Sequence, residues 1–256
     1  MRTLLAVLLI GGAVFGADAA PAVFRVRLDT TKGSIVVEVH RDWAPRGADR
    51  FYELVTARYF DDNRFFRVHA GQWAQFGING DPAVSQRWKA KTIPDDPRGQ
   101  SNVRGMVAFA FAEPNARTTQ VYIALKDLSD PQDAQGFVPF GRVVEGMDVA
   151  DALNSEYGEN SGGGIRAGKQ QPLFDGGNAY LDREFPRLDR LLHAVPADRV
   201  AVLADAATSR EPWQLSPRSG DEQTAAAGCG AGQIARHDRV LSIAQCRPLG
   251  LPGGKP

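Results

Sequence analysis

At 256 residues the chain has room for one domain with extensions, and its 30 Lys and Arg balance 30 Asp and Glu. That balance argues against nucleic acid or an anionic membrane surface as a partner. His40, His69, His193 and His237 form no spaced pair, and neither Cys229 nor Cys246 has a His or Cys at ligand spacing nearby, so no metal and no cofactor is expected; the absence of a Gly-x-Ser-x-Gly elbow or a His-Glu-x-x-His helix removes the commonest hydrolase readings.

Residues 1–19 combine a basic Arg2, an apolar run from Leu4 to Phe15 and small residues at Ala17 and Ala19, the pattern of a secretory leader. The run is too short to span a bilayer comfortably, so cleavage before Ala20 is favoured over retention as an anchor. The mature protein is expected to be periplasmic or secreted, with no membrane attachment once the leader is gone. Residues 23–29 and 34–40 alternate apolar and polar around Thr30-Thr31-Lys32-Gly33 and predict a hairpin. Pro45 opens a helix carrying Ala48, Phe51, Tyr52, Leu54 and Val55 at helical spacing. Gly47 weakens its first turn by about 1 kcal/mol relative to alanine, so burial has to hold it.

A polar turn over 59–63 leads into a β-prone run in which strict alternation puts Phe65, Arg67 and His69 on one face. After a break at Ala70-Gly71, the run 72–76 puts Trp73 and Gln75 on a common face, so a cation, an indole and an amide can converge. Residues 81–101, rich in Pro, Asp, Lys and Arg, read as a long surface loop. Met106, Ala108, Ala110 and Ala112 then share a face of little but methyl groups, which leaves room for another chain to lie against it. A loop over 113–119 follows, and Gln120 and Tyr122 share a face of the next run. Residues 138–144 return to strand pattern and 146–153 read as a short helix.

The chain turns Gly-rich over 157–168. Residues 163–169 fit the Gly-x4-Gly-Lys part of a phosphate-binding loop, but Gln170 stands where Ser or Thr must hold Mg²⁺ and no apolar strand precedes it, so this is read as a flexible loop. Residues 197–256 are rich in Ala, Gly, Pro, Ser and Arg without a sustained period and read as a disordered tail with at most a short helix at 200–207. A partner-binding segment is the other reading of this tail. Its two cysteines either pair in an oxidising compartment, worth about 3 kcal/mol, or stand as incidental thiols.

Five segments now carry a resemblance: FFRV from Phe65, Q-F-G-x-x-G-D from Gln75, A-x-A around Phe111, RTTQVYI from Arg117 and FGRVVEGMD from Phe140. Their order and spacing resemble those of the cyclophilins, the barrel-type peptidyl-prolyl cis-trans isomerases. Over residues 22–196 the resemblance implies a mainly β fold, a closed eight-stranded antiparallel barrel capped by two helices, acting as a monomer. Its outer groove would bind proline-containing polypeptides. Residues 178–192 are similar to the closing strand and terminal segment of bacterial members, with Phe185 and Leu188 as core plugs.

The resemblance also implies roles. Arg67 matches the arginine that donates to the prolyl nitrogen, and Gln75 the glutamine that fixes it and bonds the peptide. Tyr122 matches the aromatic floor of the proline pocket, usually Phe, so its added hydroxyl needs a partner. Ala110, Phe111 and Ala112 match the edge that pairs with the peptide backbone, and Phe65 and Gln120 complete the expected binding surface, Phe65 being partly core. Gln72 stands where a pocket-walling Phe is usual, with Trp73 beside it as replacement surface, and Phe137 stands where His is frequent. No Trp occurs between Ala124 and Phe140, where cyclosporin-sensitive members carry one, and Leu128 partly fills its place. Two functions survive: an isomerase that assists folding, favoured because Arg67 and Gln75 are intact, and a peptide-binding module or chaperone with negligible turnover, to which Gln72 and Phe137 point.

Overall fold

The computed structural model describes residues 19–162 and 169–197. The expected leader up to residue 18, residues 163–168 of the Gly-rich loop, the expected tail from residue 198 with its short helix at 200–207, and Cys229 and Cys246 lie outside the described residues.

The first hairpin pairs β1 (Val23–Thr30) with β2 (Gly33–His40) in full register from Val23↔His40 to Thr30↔Gly33. Alternation does what it predicts: Val26, Leu28, Ile35, Val37 and Val39 are buried in the core, while Arg25 on the outer face bonds Glu38 across the pair. Helix α1 (Pro45–Thr56) follows. Its first turn has no side-chain cap of its own; instead the Asp96 carboxylate accepts from the backbone N–H of Arg46 at 3.0 Å and Gly47 at 2.9 Å, satisfying two orphan donors from fifty residues away. Phe51, Leu54 and Val55 are buried, so burial holds the helix despite Gly47.

The remaining strands are β3 (Asn63–Arg64), β4 (Arg67–His69), β5 (Trp73–Phe76), β6 (Met106–Phe109), β7 (Val121–Ala124), β8 (Pro139–Glu145) and β9 (Arg190–Pro196). They form one antiparallel sheet in the order β3-β9-β1-β2-β8-β6-β7-β5-β4. The two end strands, β3 and β4, are separated only by Phe65 and Phe66, so the chain carries one edge of the sheet into the other. Counted as one bent strand they give the eight strands expected of the barrel, with β9 paired to its first part and β5 to its second. An aromatic chain fills the interior: Phe51 meets Phe60 and Phe140, and Phe76 meets Phe60 and Phe65. Helix α3 (Met147–Asp151) falls inside the expected 146–153 and adds Ala150 to the core.

Three expectations are corrected. The expected loop 81–101 begins with helix α2 (Pro82–Lys89), whose N-terminus is capped by the Asp81 carboxylate accepting from Ala83 N–H at 2.8 Å. Residues 178–192 form the closing strand only at their end: their first part belongs to helix α4 (Gln171–Glu184), and β9, the strand that pairs with β1, takes in only 190–192 of them and runs on to Pro196. Phe185 and Leu188 consequently plug a second cluster outside the barrel, with Phe66, Ile78, Leu173, Phe174 and Leu181. Third, alternation fails at the bend between β3 and β4. Phe65 lies in the barrel core against Phe76, while both Phe66, beneath α4, and Arg67 turn outward. Phe65 is therefore core and not part of an outer groove.

Candidate active site

The sheet register assembles the site. Arg67 on β4 sits opposite Gln75 on β5, Gln75 opposite Tyr122 on β7, and Tyr122 opposite Ala108 on β6. Opposed residues in an antiparallel pair project on the same face within reach of each other, so four strands present a cation, an amide, an aromatic ring and a methyl in one outward row. In the adjoining row His69 faces Trp73, which faces Ala124. Gly77 keeps this alignment tight. Its φ is +109°, and a Cβ there would come within 2.3 Å of the Thr119 carbonyl oxygen, so only glycine lets the chain leaving β5 press on the backbone leading into Gln120.

The guanidinium of Arg67 is held at two of its three nitrogens. Nη1 donates to Gln75 Oε1 at 3.1 Å and Nε to Glu159 Oε1 at 2.9 Å, with Cζ 5.0 Å from the Trp73 ring centroid. Among the described residues Nη2 has no partner, and the side chain keeps 23% of its exposure. Behind Gln75 runs a file of amides: Gln75 Nε2 donates to Gln120 Oε1 at 2.7 Å, Gln120 Nε2 to Gln170 Oε1 at 2.8 Å, and Gln170 Nε2 to the Gly162 carbonyl at 3.1 Å. All three glutamines are buried.

Beside the row lies a small apolar cluster on the outer face, built from Ala108, Tyr122, Ala124 and Leu128 with Trp73, Ala110 and Phe137 packed against it. The Phe137 ring stands edge-on to Tyr122 at 5.7 Å and lies 4.4 Å from Phe111. The Tyr122 hydroxyl finds its partner in Asn102, donating to Oδ1 at 2.6 Å, and burial pushes its pKa well above the ordinary phenol value, with the Asp133 charge adding to the shift. Asn102 is fixed in turn, its Nδ2 donating to Asp133 Oδ1 at 2.7 Å and to the Phe137 carbonyl at 2.8 Å. Burial opposes ionisation of Asp133, but hydrogen bonds from Ser101 and Asn102 outweigh it and hold the carboxyl below its usual range.

Gln72 sits half-exposed on the turn between β4 and β5, its carbonyl accepting from Leu125 N–H at 2.8 Å. Ala110, Phe111 and Ala112 run past the end of β6 and line one wall of a cavity of about 330 Å³, whose other wall includes Lys89 of α2, Gln120 and Phe174 of α4. The register brings Arg67, Gln75, Trp73 and Tyr122 together, the apolar cluster adds Ala110, Leu128 and Phe137, and Gln120 bonds Gln75 behind them; Gln72 lies on the adjoining turn, Phe111 and Ala112 line the neighbouring cavity, and Phe65 is turned into the core. Sequence reading missed Asn102, Glu159 and Gln170. Of these only Gln170 had drawn notice, as the wrong residue for a phosphate loop.

Comparison with known proteins decides the family. The chain matches the family model "Cyclophilin type peptidyl-prolyl cis-trans isomerase/CLD" over residues 25–172, more than half its length. The chain belongs to the cyclophilins. A peptidyl-prolyl cis-trans isomerase of Acinetobacter baylyi is 29% identical over 162 residues, spanning 59% of this chain and 84% of that protein. A peptidyl-prolyl cis-trans isomerase-like 1 protein of Rhizopus delemar is 34% identical over 134 residues, covering 50% and 78%. Among solved structures, a cyclophilin of Cryptosporidium parvum superposes with a TM-score of 0.50 at 17% identity, covering 68% of this chain and 97% of its own, a likeness of fold. The activity of this cyclophilin is peptidyl-prolyl isomerisation. Among its described residues no helix is long and apolar enough to cross a membrane and no group of three His, Cys, Asp or Glu side chains could hold a metal ion.

Proposed function

We propose that this cyclophilin turns the X-Pro bonds of proline-containing polypeptides with Arg67 as the catalytic donor, and that it does so as an exported monomer of the bacterial kind that assists folding. The X-Pro bond resists rotation because the nitrogen lone pair is delocalised into the carbonyl, a barrier of about 18 to 20 kcal/mol. As the bond twists, the lone pair localises on nitrogen and becomes an acceptor. The uncommitted Nη2 of Arg67 is the donor for it, and its fixed charge strengthens the bond to the twisted amide over the planar one. Only that difference accelerates; about 6 kcal/mol of it corresponds to roughly 10⁴-fold.

The apolar cluster of Trp73, Tyr122, Leu128 and Phe137 is the seat for the proline ring. Phe137 keeps that seat dry and Trp73 supplies surface beside Gln72. The chain at 110–112 is the edge along which the peptide lies in extended form, main chain to main chain, with Gln75 and Gln120 bonding its polar groups. The single observation that carries this reading is the cross-strand row Arg67, Gln75, Tyr122, Ala108. A protease-coupled isomerisation assay on Ala-Xaa-Pro-Phe peptides tests it. Measurable acceleration across the series supports it, whereas retained peptide binding without acceleration means a binding module.

Export rests on the leader pattern, and one contact supports it. Ala20, the first residue after the expected cleavage point, is buried, and its backbone N–H donates to Asp49 Oδ1 at 3.0 Å. A hydrogen bond from Arg41 holds that carboxyl below its usual range. A chain freed there would place its new ammonium on a carboxylate already ionised. N-terminal sequencing of protein from the periplasm or medium should return Ala20 first; an intact leader on cytoplasmic protein would overturn the proposal of export. Light scattering of the purified protein checks the monomer.

A further inference from the structure

We infer that Glu159 and Gln170, both from the segment between α3 and α4, are positioning residues for isomerisation, holding Arg67 from its two sides; the inference rests on Arg67 being the catalytic donor. Glu159 acts directly, its Oε1 accepting from Nε at 2.9 Å. Gln170 acts through two intermediaries. A backbone carbonyl can only accept, so the Gly162 oxygen fixes which end of the Gln170 amide faces it. That leaves Gln170 Oε1 for Gln120 Nε2, Gln120 Oε1 for Gln75 Nε2, and Gln75 Oε1 for Arg67 Nη1. Each amide in this buried file has its polarity set by the one behind it, and the file ends by presenting an acceptor to the guanidinium. Were the polarity reversed, Gln75 would turn an NH₂ group toward a cation that can only donate.

The consequence for catalysis is orientation. With Nε and Nη1 engaged and Trp73 beneath the plane, the guanidinium is fixed before substrate arrives, and the free Nη2 is left for the twisting amide. Arginine otherwise surrenders rotamer freedom when it makes its bond in the transition state, so fixing it beforehand lowers that cost. Stability is a separate matter. Glu159 is 41% exposed, and a pair this open to water contributes little to folding.

The test measures kcat and KM for Glu159→Ala, Glu159→Gln, Gln170→Leu and Arg67→Ala, with thermal unfolding of each and Glu159→Ala and Gln170→Leu repeated on the Arg67→Ala background. The expected result is a loss of roughly tenfold in kcat with KM nearly unchanged for both Glu159→Ala and Gln170→Leu, because the interaction matters in the transition state. Glu159→Gln retains an acceptor for Nε and should recover to within about twofold of the wild type. On the Arg67→Ala background neither substitution should cost more than about twofold further, since residues acting through one group are not additive. Single variants at full speed, or losses that persist undiminished without Arg67, would overturn the inference while leaving Arg67 in place as the donor. If Arg67→Ala itself keeps full speed, the reading of the site falls and this inference with it.

Discussion

Removing one hydroxyl from the floor of the proline seat separates what Tyr122 does for the fold from what it does for the substrate. In Tyr122→Phe the ring stays, and with it the apolar contacts to Ala108, Leu128 and Phe137. What is lost is the bond to Asn102 Oδ1. Asn102 is fully buried and cannot turn to find another donor, because its amide nitrogen is committed to Asp133 and the Phe137 carbonyl. Its oxygen is therefore left bare, a loss of about 1 to 2 kcal/mol for an orphaned buried acceptor. For a domain of this size that corresponds to a fall of roughly 3 to 6 °C in Tm. Urea unfolding followed by tryptophan fluorescence gives the stability, and the protease-coupled assay gives the rate, which should stay within about threefold because the ring is unchanged. A variant as stable as the wild type would refute the account of the hydroxyl. A hundredfold fall in kcat/KM at unchanged stability would place that hydroxyl on the substrate instead.

Other outcomes follow from the same geometry. Glu38 has its pKa lowered to about 2, first by the hydrogen bond from Arg25 and then by those from His40 and Arg142. A carboxyl depressed in the folded state stabilises fully above its unfolded pKa and loses that contribution as pH falls toward the folded one. Stability should therefore decline between about pH 4.5 and pH 2, and the decline should be shallower in Glu38→Gln when unfolding is followed across that window. Asp96→Ala should destabilise by about 3 kcal/mol, because it strips two donors at the start of α1 and one partner from the buried Arg117; urea unfolding at the wild-type level would contradict this. Cyclosporin should bind weakly, since the position that carries Trp in sensitive cyclophilins has none and Leu128 is buried in the cluster. A nanomolar inhibition constant would refute that.

The barrel was legible because its strands obey simple rules. The first hairpin alternates cleanly and buries the face that alternation marks, and α1 begins at a proline and keeps helical spacing. The site was legible through short motifs whose spacing the register converts into contact: eight residues separate Arg67 from Gln75, and pairing across β4 and β5 sets them opposite. Legibility failed where the chain departs from a repeating period. At Phe65 and Phe66 the strand bends to join both edges of the sheet, so consecutive aromatics face different cores and a strict count of two assigns Phe65 to the wrong side. Helix α2 is short and polar, and its proline reads as a loop signal until Asp81 is recognised as a cap. Helix α4 contains Gly177 at a positive φ, pressed so close to the Gly80 carbonyl that a Cβ would lie 2.1 Å from it; such a kink breaks helical spacing in sequence. Glu159 meets Arg67 from 92 residues away, and no local pattern signals a partner at that distance.

The most direct measurement of the central claim is exchange between cis and trans proline peptides at equilibrium, followed by NMR with wild-type protein and with Arg67→Ala. Peptide affinity is measured on the same samples. The account predicts that the variant binds the peptide within a few-fold of the wild type but interconverts the isomers at least about a hundredfold more slowly. Exchange at wild-type speed in a folded, peptide-bound Arg67→Ala protein would contradict it.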